Sequence, residues 1–370
     1  MPEKKRIEWI DVAKGITLLF IINTHFPNKS MLFPWGYAFH VIAFFVLSGY
    51  LMGIKNEVSY SPGEMLLRKW KAIGYPYVML SVAESIYLFI YWLFHGQIAV
   101  SFTVLNIELS ICGFGVGTLW FLSSLFFGEL LVYLFLKKFP KPISGILIGI
   151  VALLGLILAK YMTELGLTDS TRNVPVKMAL IGYFPLFLIR TMIAAGAIYI
   201  GYLWQKVSKI QFLSDKKWVL AVFAIGFVLI YAKWIGPALS HNNLKYASIN
   251  KPLFYVFGTL FGTAAVVLFS YCIECVPYLS KGLQWIGTHS LIIMTTHYDF
   301  KIVQIVYDCL NRLGLHYDQH KILFGLSMFA VILPIEVLLV YIIEHTPFRY
   351  LYQMPKLKKK EGTDSERKNY

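Results

Sequence analysis

Residues 6–25 read RIEWIDVAKGITLLFIINTH. An acid, Asp11, and a cation, Lys14, interrupt an apolar run that otherwise suits a bilayer crossing and ends on His25; such a crossing takes about 20 residues. Lys4, Lys5 and Arg6 before it resemble the basic start of a signal peptide, but Asp11 and Lys14 break the apolar region and no small-residue cleavage site follows. The stretch is therefore expected to be retained as the first helix. Lys14 and His25 are eleven residues apart. At 100° per residue this is three turns plus roughly 20°, over about 16 Å, so both side chains face the same way.

The rest of the chain repeats the apolar run. Of 370 residues, 57% are hydrophobic and 15% charged, with a mean hydropathy of +0.61. Soluble domains average roughly 45–50% apolar and about 25% charged. The formal charge of +14 does not point to nucleic acid, because Lys and Arg sit between the apolar stretches rather than forming one basic and aromatic surface.

Apolar stretches between charged or Pro/Gly-bearing breaks predict helices near 11–26, 36–54, 73–95, 116–136, 142–160, 182–204, 217–236, 252–273, 285–307 and 322–344. Lys and Arg between these helices and near their ends divide 22 to 9 between the two sides, and the richer side is the cytoplasmic one. It carries Lys4, Lys5 and Arg6, then Lys55, Arg68, Lys69 and Lys71, then Lys137, Lys138 and Lys141, then Lys206, Lys209, Lys216 and Lys217, then Lys281 and the tail. The poorer side holds Lys29, Lys160, Arg172, Lys177, Lys233, Lys245, Lys251, Arg312 and Lys321. The expected fold is all-α integral membrane, about ten transmembrane helices around a polar cavity, with both termini cytoplasmic. Residues 1–345 make up the membrane domain, and 346–370 a basic cytoplasmic tail expected to be disordered beside anionic headgroups. Residues 96–115 lack Lys and Arg and carry much apolar surface, which suits a segment lying on, or re-entering, the outer leaflet.

Ionisable groups inside spans are costly and by default mark function. Helix 1 offers Asp11, Lys14 and His25, with Lys14 near the cytoplasmic end and His25 near the outer end. A blander reading of helix 1 has Lys14 snorkelling to the headgroups with Asp11 as its i, i+3 partner. Further polar groups in the same kind of place favour a cavity: His40, Glu84, Glu129, Arg190 and His297. Trp120 and Ser123 are further candidates for its lining, set against ordinary aromatic packing. Thr295, Thr296 and Asp299 flank His297, which either holds an acceptor or orients His25; a buried histidine satisfied by a neighbouring helix is the bland reading.

The words of the sequence resemble the acyltransferase family 3 membrane proteins, and in particular the fucose 4-O-acetylase-like branch. The likeness starts at RIEWIDVAKGITLLFIINTH and continues through FHVIAFFVLSGYLMG (39–53), LLRKWKAIGYPYV (66–78), GTLWFLSSLFFGELL (117–131) and IGTHSLIIMTTHYDF (286–300). It implies a membrane O-acyltransferase, most often an O-acetyltransferase, in the plasma membrane. Acyl-CoA, commonly acetyl-CoA, is the implied cytoplasmic donor, and the acceptor a hydroxyl of a cell-surface polysaccharide or its lipid-linked precursor. The family signature in helix 1, an Arg followed after ten residues by a catalytic His, falls on His25 with Lys14 in the Arg position. Lys keeps the charge and loses the bidentate fork. The family's basic pair after helix 2 falls on Arg68 and Lys71.

The chemistry agrees with that implication. Thioester-to-alcohol transfer needs a base for the hydroxyl and a cation or donor for the developing oxyanion. His25, with an ordinary imidazole pKa of about 6.5, suits the base. Direct attack and a transient acyl-imidazole both fit the sequence. Arg68, Lys69 and Lys71 suit CoA phosphates, and equally a lipid-headgroup signal. No metal is expected. Cys272 and Cys275 have C-x-x-C spacing with apolar flanks and no second pair, which reads as packing. His316 and His320 have no third ligand nearby in sequence and read as solvated. No hydrolase elbow, Walker loop, dinucleotide fingerprint or H-E-x-x-H is present. The alternative to an enzyme is a transporter of a glycan or lipid-linked sugar. It also needs a polar path, but the paired Gly/Pro-interrupted helices that mark such sites are not evident.

Overall fold

The computed structural model describes residues 7–27, 32, 36, 39–94, 99–170, 179–207, 216–235, 242–317 and 320–355. Lys4, Lys5, Arg6, Lys29, Gly96, Arg172, Lys177, Lys209 and the tail from Lys356 to Tyr370 lie outside them. Among the described residues all regular structure is helical, apart from one isolated bridge between Asn243 and Ser248. Six helical stretches are long and apolar enough to cross a membrane: Pro62–Phe94, Trp120–Lys138, Lys141–Glu164, Ile181–Gln205, Pro252–Ile273 and Lys321–His345. Two shorter apolar helices span His40–Ile54 and Trp218–Trp234. The chain is a multi-pass membrane protein.

The helices that position the site are α1 (Glu8–Thr24), α2 (His40–Ile54), α3 (Pro62–Lys69), α4 (Tyr75–Phe94), α5 (Ala99–Ile111), α6 (Trp120–Lys138), α7 (Lys141–Glu164), α8 (Ala179–Val207), α9 (Lys217–Ile230), α10 (Pro252–Ile273), α11 (Pro277–Thr288), α12 (Ser290–Asp299), α13 (Ile302–Arg312), α14 (Lys321–His345) and α15 (Arg349–Tyr352). A π-helical turn, Trp70–Gly74, joins α3 to α4. In lipid the apolar faces of helices gain little by meeting one another, so close approach at small residues decides which helices pair. The α2–α8 contact is built that way. A Cβ on Gly49 would overlap the Ile198 carbonyl, and one on Gly201 would overlap that of Val46. Helix α1 meets α11 by the same device, with Gly15 against the Leu283 carbonyl and Gly287 against that of Asp11.

One expected element comes out differently. The helix expected over 285–307 is three: α11 gives way to α12 at His289 (φ −100°, ψ 15°), and α12 to α13 at Lys301, whose φ is +64°. Only the middle piece carries buried polar groups in succession, Thr295, Thr296, His297 and Asp299. The last piece is amphipathic, burying Ile302, Val303, Val306 and Leu310 and exposing Ile305. Within 96–115, α5 is 13 residues long, about 20 Å, which is short of a ~30 Å hydrocarbon core. Its last turn lies against α4, where the Tyr77 hydroxyl donates to the Ser110 carbonyl at 2.6 Å. The chain then turns through Gly113, Gly115 and Gly117, all with positive φ. The C-terminal segment is packed as far as α15, with Tyr352 buried and its hydroxyl 3.0 Å from that of Thr295.

A buried ion cluster fixes the turn between α2 and α3. Lys69 Nζ lies 2.6 Å from Glu57 and 3.1 Å from Glu129, and Ser48 donates to the Glu129 carboxylate. Beside it the Tyr133 hydroxyl donates to the Tyr60 carbonyl, and Lys137 to those of Val58 and Tyr60. Lys69→Met would strip two buried carboxylates of their shared cation. A loss of about 3–5 kcal/mol is expected, read as a lower melting temperature in detergent, whereas Arg68→Met, at an exposed i, i+4 pair with Glu64, should leave it nearly unchanged.

Candidate active site

A cavity of about 460 Å³ opens at the C-terminal end of α1. Its wall is drawn from α1 (Ile21, Thr24, His25), the start of α2 (His40, Val41, Ile42), the glycine loop and α6 (Gly117, Thr118, Trp120, Phe121), the loop Asn242–Tyr246, Tyr255 of α10, and Met294 and Tyr298 of α12. That volume suits a small-molecule site, and aromatic rings interleaved with amides and hydroxyls suit a ligand with both apolar faces and hydroxyl groups. A second groove, of about 740 Å³ between α4, α5 and α6, is lined almost wholly by apolar side chains and holds no histidine.

His25 ends α1 and is positioned by α12. Its Nδ1 lies 3.0 Å from His297 Nε2, and His297 Nδ1 lies 2.6 Å from the Ile293 carbonyl. These two contacts settle the tautomers of a neutral pair. A carbonyl only accepts, so His297 carries its hydrogen on Nδ1 and its Nε2 accepts. His25 must then donate from Nδ1, which leaves the lone pair on its own Nε2. Tyr298 covers the ring at 4.4 Å between centroids. His40 Nδ1 is 2.7 Å from the Gly36 carbonyl, and its Nε2 is 3.5 Å from Thr24 Oγ1.

Arg190 sets the opposite wall. It is fully buried and, among the described residues, meets no carboxylate. Its guanidinium instead donates to the carbonyls of Gly113 and Phe114 at 2.7 Å, to that of Lys245 at 3.0 Å and to Ser124 Oγ at 2.9 Å. The rings of Phe114 and Trp120 lie 4.8 and 5.3 Å away. One side chain thus ties the glycine loop to the loop Asn242–Tyr246. Ser123 belongs to the same layer, within 2.5 Å of the Gly113 carbonyl. Glu84 meets this wall at Gly117, where φ is +50° and a Cβ would overlap the Asp299 carboxylate and lie 2.7 Å from Glu84 Oε1. Asp299 in turn accepts from the Thr118 N–H and hydroxyl.

Of the residues singled out in sequence, His25, His40 and Trp120 line the cavity, His297, Glu84 and Arg190 lie around it, and Ser123 lines the second groove instead. Lys14 and Asp11 pair with each other at 3.4 Å, and neither lines the cavity. Glu129 and Lys69 form the separate cluster between α2, α3 and α6. Arg68 and Lys71 are exposed ahead of α4.

Sequence reasoning missed Lys245, Asn242, Thr118 and Tyr298. Lys245 entered only as a topological charge, although a loop reading NNLKY carries two amides and a cation within five residues, a signal that was available.

A family model described as an acyltransferase domain, that of acyltransferase family 3, matches residues 7–341. No curated protein and no solved structure matches the chain.

Proposed function

Since the chain belongs to this acyltransferase family, we propose that it is an O-acyltransferase moving an acyl group, most often acetyl, from cytoplasmic acyl-CoA to a hydroxyl of a cell-surface polysaccharide or its lipid-linked precursor. The observation that carries this reading is the His25–His297 pair. It leaves a basic nitrogen, His25 Nε2, on a ring that lines a cavity of ligand size.

In the reaction the acceptor hydroxyl gives its proton to His25 Nε2 as its oxygen attacks the thioester carbonyl carbon. The carbonyl π pair moves to oxygen, the C–S bond then breaks, and the CoA thiolate leaves with the proton returned from His25. Acyl-CoA and alcohol become ester and CoA thiol. His297 keeps the His25 ring in the reactive tautomer and shares the charge as the imidazolium forms, the part that a carboxylate plays in a Ser-His-Asp triad. Arg68 and Lys71, exposed ahead of α4, are assigned to the CoA phosphates. Trp120, Tyr246, Tyr255 and Tyr298 around two asparagines suit a saccharide acceptor, with rings for its apolar faces and amides for its hydroxyls. The N-terminal end of the helix near 11–26 and the C-terminal end of that near 322–344 then face the cytoplasm, as the Lys and Arg distribution has it, and the membrane is the plasma membrane.

Membranes carrying the protein, given acetyl-CoA labelled in the acetyl group, should release CoA thiol and place base-labile label in the envelope polysaccharide fraction. Label absent from that fraction, with saccharide moving across vesicles in the absence of any acyl donor, would instead establish transport.

A further inference from the structure

We infer that Lys245 and Asn242 form the donor pair that holds the acyl carbonyl during transfer, a role that rests on the reading above and that no motif in the chain assigns. The oxygen of an attacked thioester becomes an oxyanion, and a site that stabilises it needs fixed donors facing the space where the base works. The loop Asn242–Tyr246 supplies them in the cavity that His25 lines.

Lys245 is the cation placed there. It lines the cavity, and its charge acts on the His25 ring. Its Nζ donates to the Gly117 carbonyl at 2.9 Å, which fixes the side chain against the glycine loop. By contrast, Lys14, the cation of the helix 1 signature, is held by Asp11 about 16 Å along the helix from His25.

Asn242 is an independent observation. Only 3% exposed, it lines the same cavity, and its amide is oriented because Oδ1 accepts from the Asn250 N–H at 3.0 Å. The Nδ2 hydrogens have no partner among the described residues. A buried donor left without an acceptor is costly, and a ligand carbonyl oxygen would satisfy it. The loop is rigid enough for the task. The Arg190 guanidinium holds the Lys245 carbonyl, the Asn243 side chain accepts from the Lys245 N–H, the Asn243–Ser248 bridge closes the turn, and Thr163 accepts from the Ile249 N–H. Donors held in this way need no rearrangement when charge develops.

The test compares full-length wild type, Lys245→Met, Lys245→Arg, Asn242→Ala and His25→Ala in membranes, with acetyl-CoA as the probe, following CoA release and acetyl transfer. Lys245→Met and Asn242→Ala are expected to lower kcat by about 10²-fold with KM for acetyl-CoA little changed, and Lys245→Arg to keep more activity than Lys245→Met. A melting temperature in detergent is measured for each. Should Lys245→Met not fold, Asn242→Ala, which gives up one hydrogen bond, that from the Asn250 N–H, carries the comparison. A rise in KM with kcat unchanged would make the pair a binding element and overturn the assignment. So would full activity in both variants beside an inactive His25→Ala, which leaves the enzyme reading intact. Wild type no more active than His25→Ala would overturn both readings.

Discussion

His25→Ala is expected to lower acyl transfer by about 10²–10⁴-fold, the range a positioned general base contributes, while leaving the melting temperature in detergent within a few degrees of wild type. The stability arm follows from placement. His25 is the residue after the last turn of α1, so its side chain supports no helix hydrogen bond. Its loss removes the ring contact with Tyr298 and the bond to His297 Nε2, and the other nitrogen of His297 remains tied to the Ile293 carbonyl. The activity arm follows from the tautomer, because no other nitrogen among the described residues is held with its lone pair in the cavity by a second histidine. His297→Phe should act through His25. It keeps an aromatic in the same space and removes the acceptor, so the His25 ring is free to take the other tautomer. An intermediate loss, in kcat rather than KM, is expected. A His297→Phe variant as active as wild type would show that His25 needs no orienting partner, and an active His25→Ala would remove the base from the mechanism.

What could be read from sequence follows a physical divide. Apolar runs are long-range averages over many residues, so the stretches around 120–138, 141–164, 252–273 and 321–345 stand close to where hydropathy puts them. Their faces and partners depend instead on single small residues such as Gly49 and Gly201, whose importance appears only when the opposing carbonyl is in place. The break of 285–307 into three helices was not legible, because it turns on Lys301 in a left-handed conformation where glycine or asparagine is the usual signal. In the site, the polar residues of α1 and α12 were readable, since an imidazole inside an apolar run is conspicuous. The pairing of His25 with His297, 272 residues apart, was not, and neither was the cavity role of Lys245. Charges in loops carry a strong topological meaning, and that meaning hid a second one. Arg190 shows the reverse case. Its position in a span marked it out, but its partners are backbone carbonyls, which have no sequence signature.

Those carbonyls make Arg190 the residue whose loss should disturb the protein most widely. Arg190→Ala leaves the Phe114 and Lys245 carbonyls without their donor in a buried layer, while the Gly113 carbonyl keeps the Ser123 hydroxyl, and each buried acceptor so orphaned costs about 1–3 kcal/mol. A destabilisation of roughly 2 kcal/mol or more is expected from these two groups, seen as a marked fall in melting temperature. Transfer should fall as well, because both loops that face His25 lose their common anchor and displacements near 1 Å cost about 10²-fold in rate. Arg190→Lys separates the two effects. An ammonium keeps the charge and reaches part of the layer, but it lacks the planar fork that spans Gly113, Phe114 and Lys245 together. It should therefore regain more stability than activity. Equal recovery of both would mean that the charge matters rather than the geometry, and a fully active Arg190→Ala would show that the two loops find their places without a clamp.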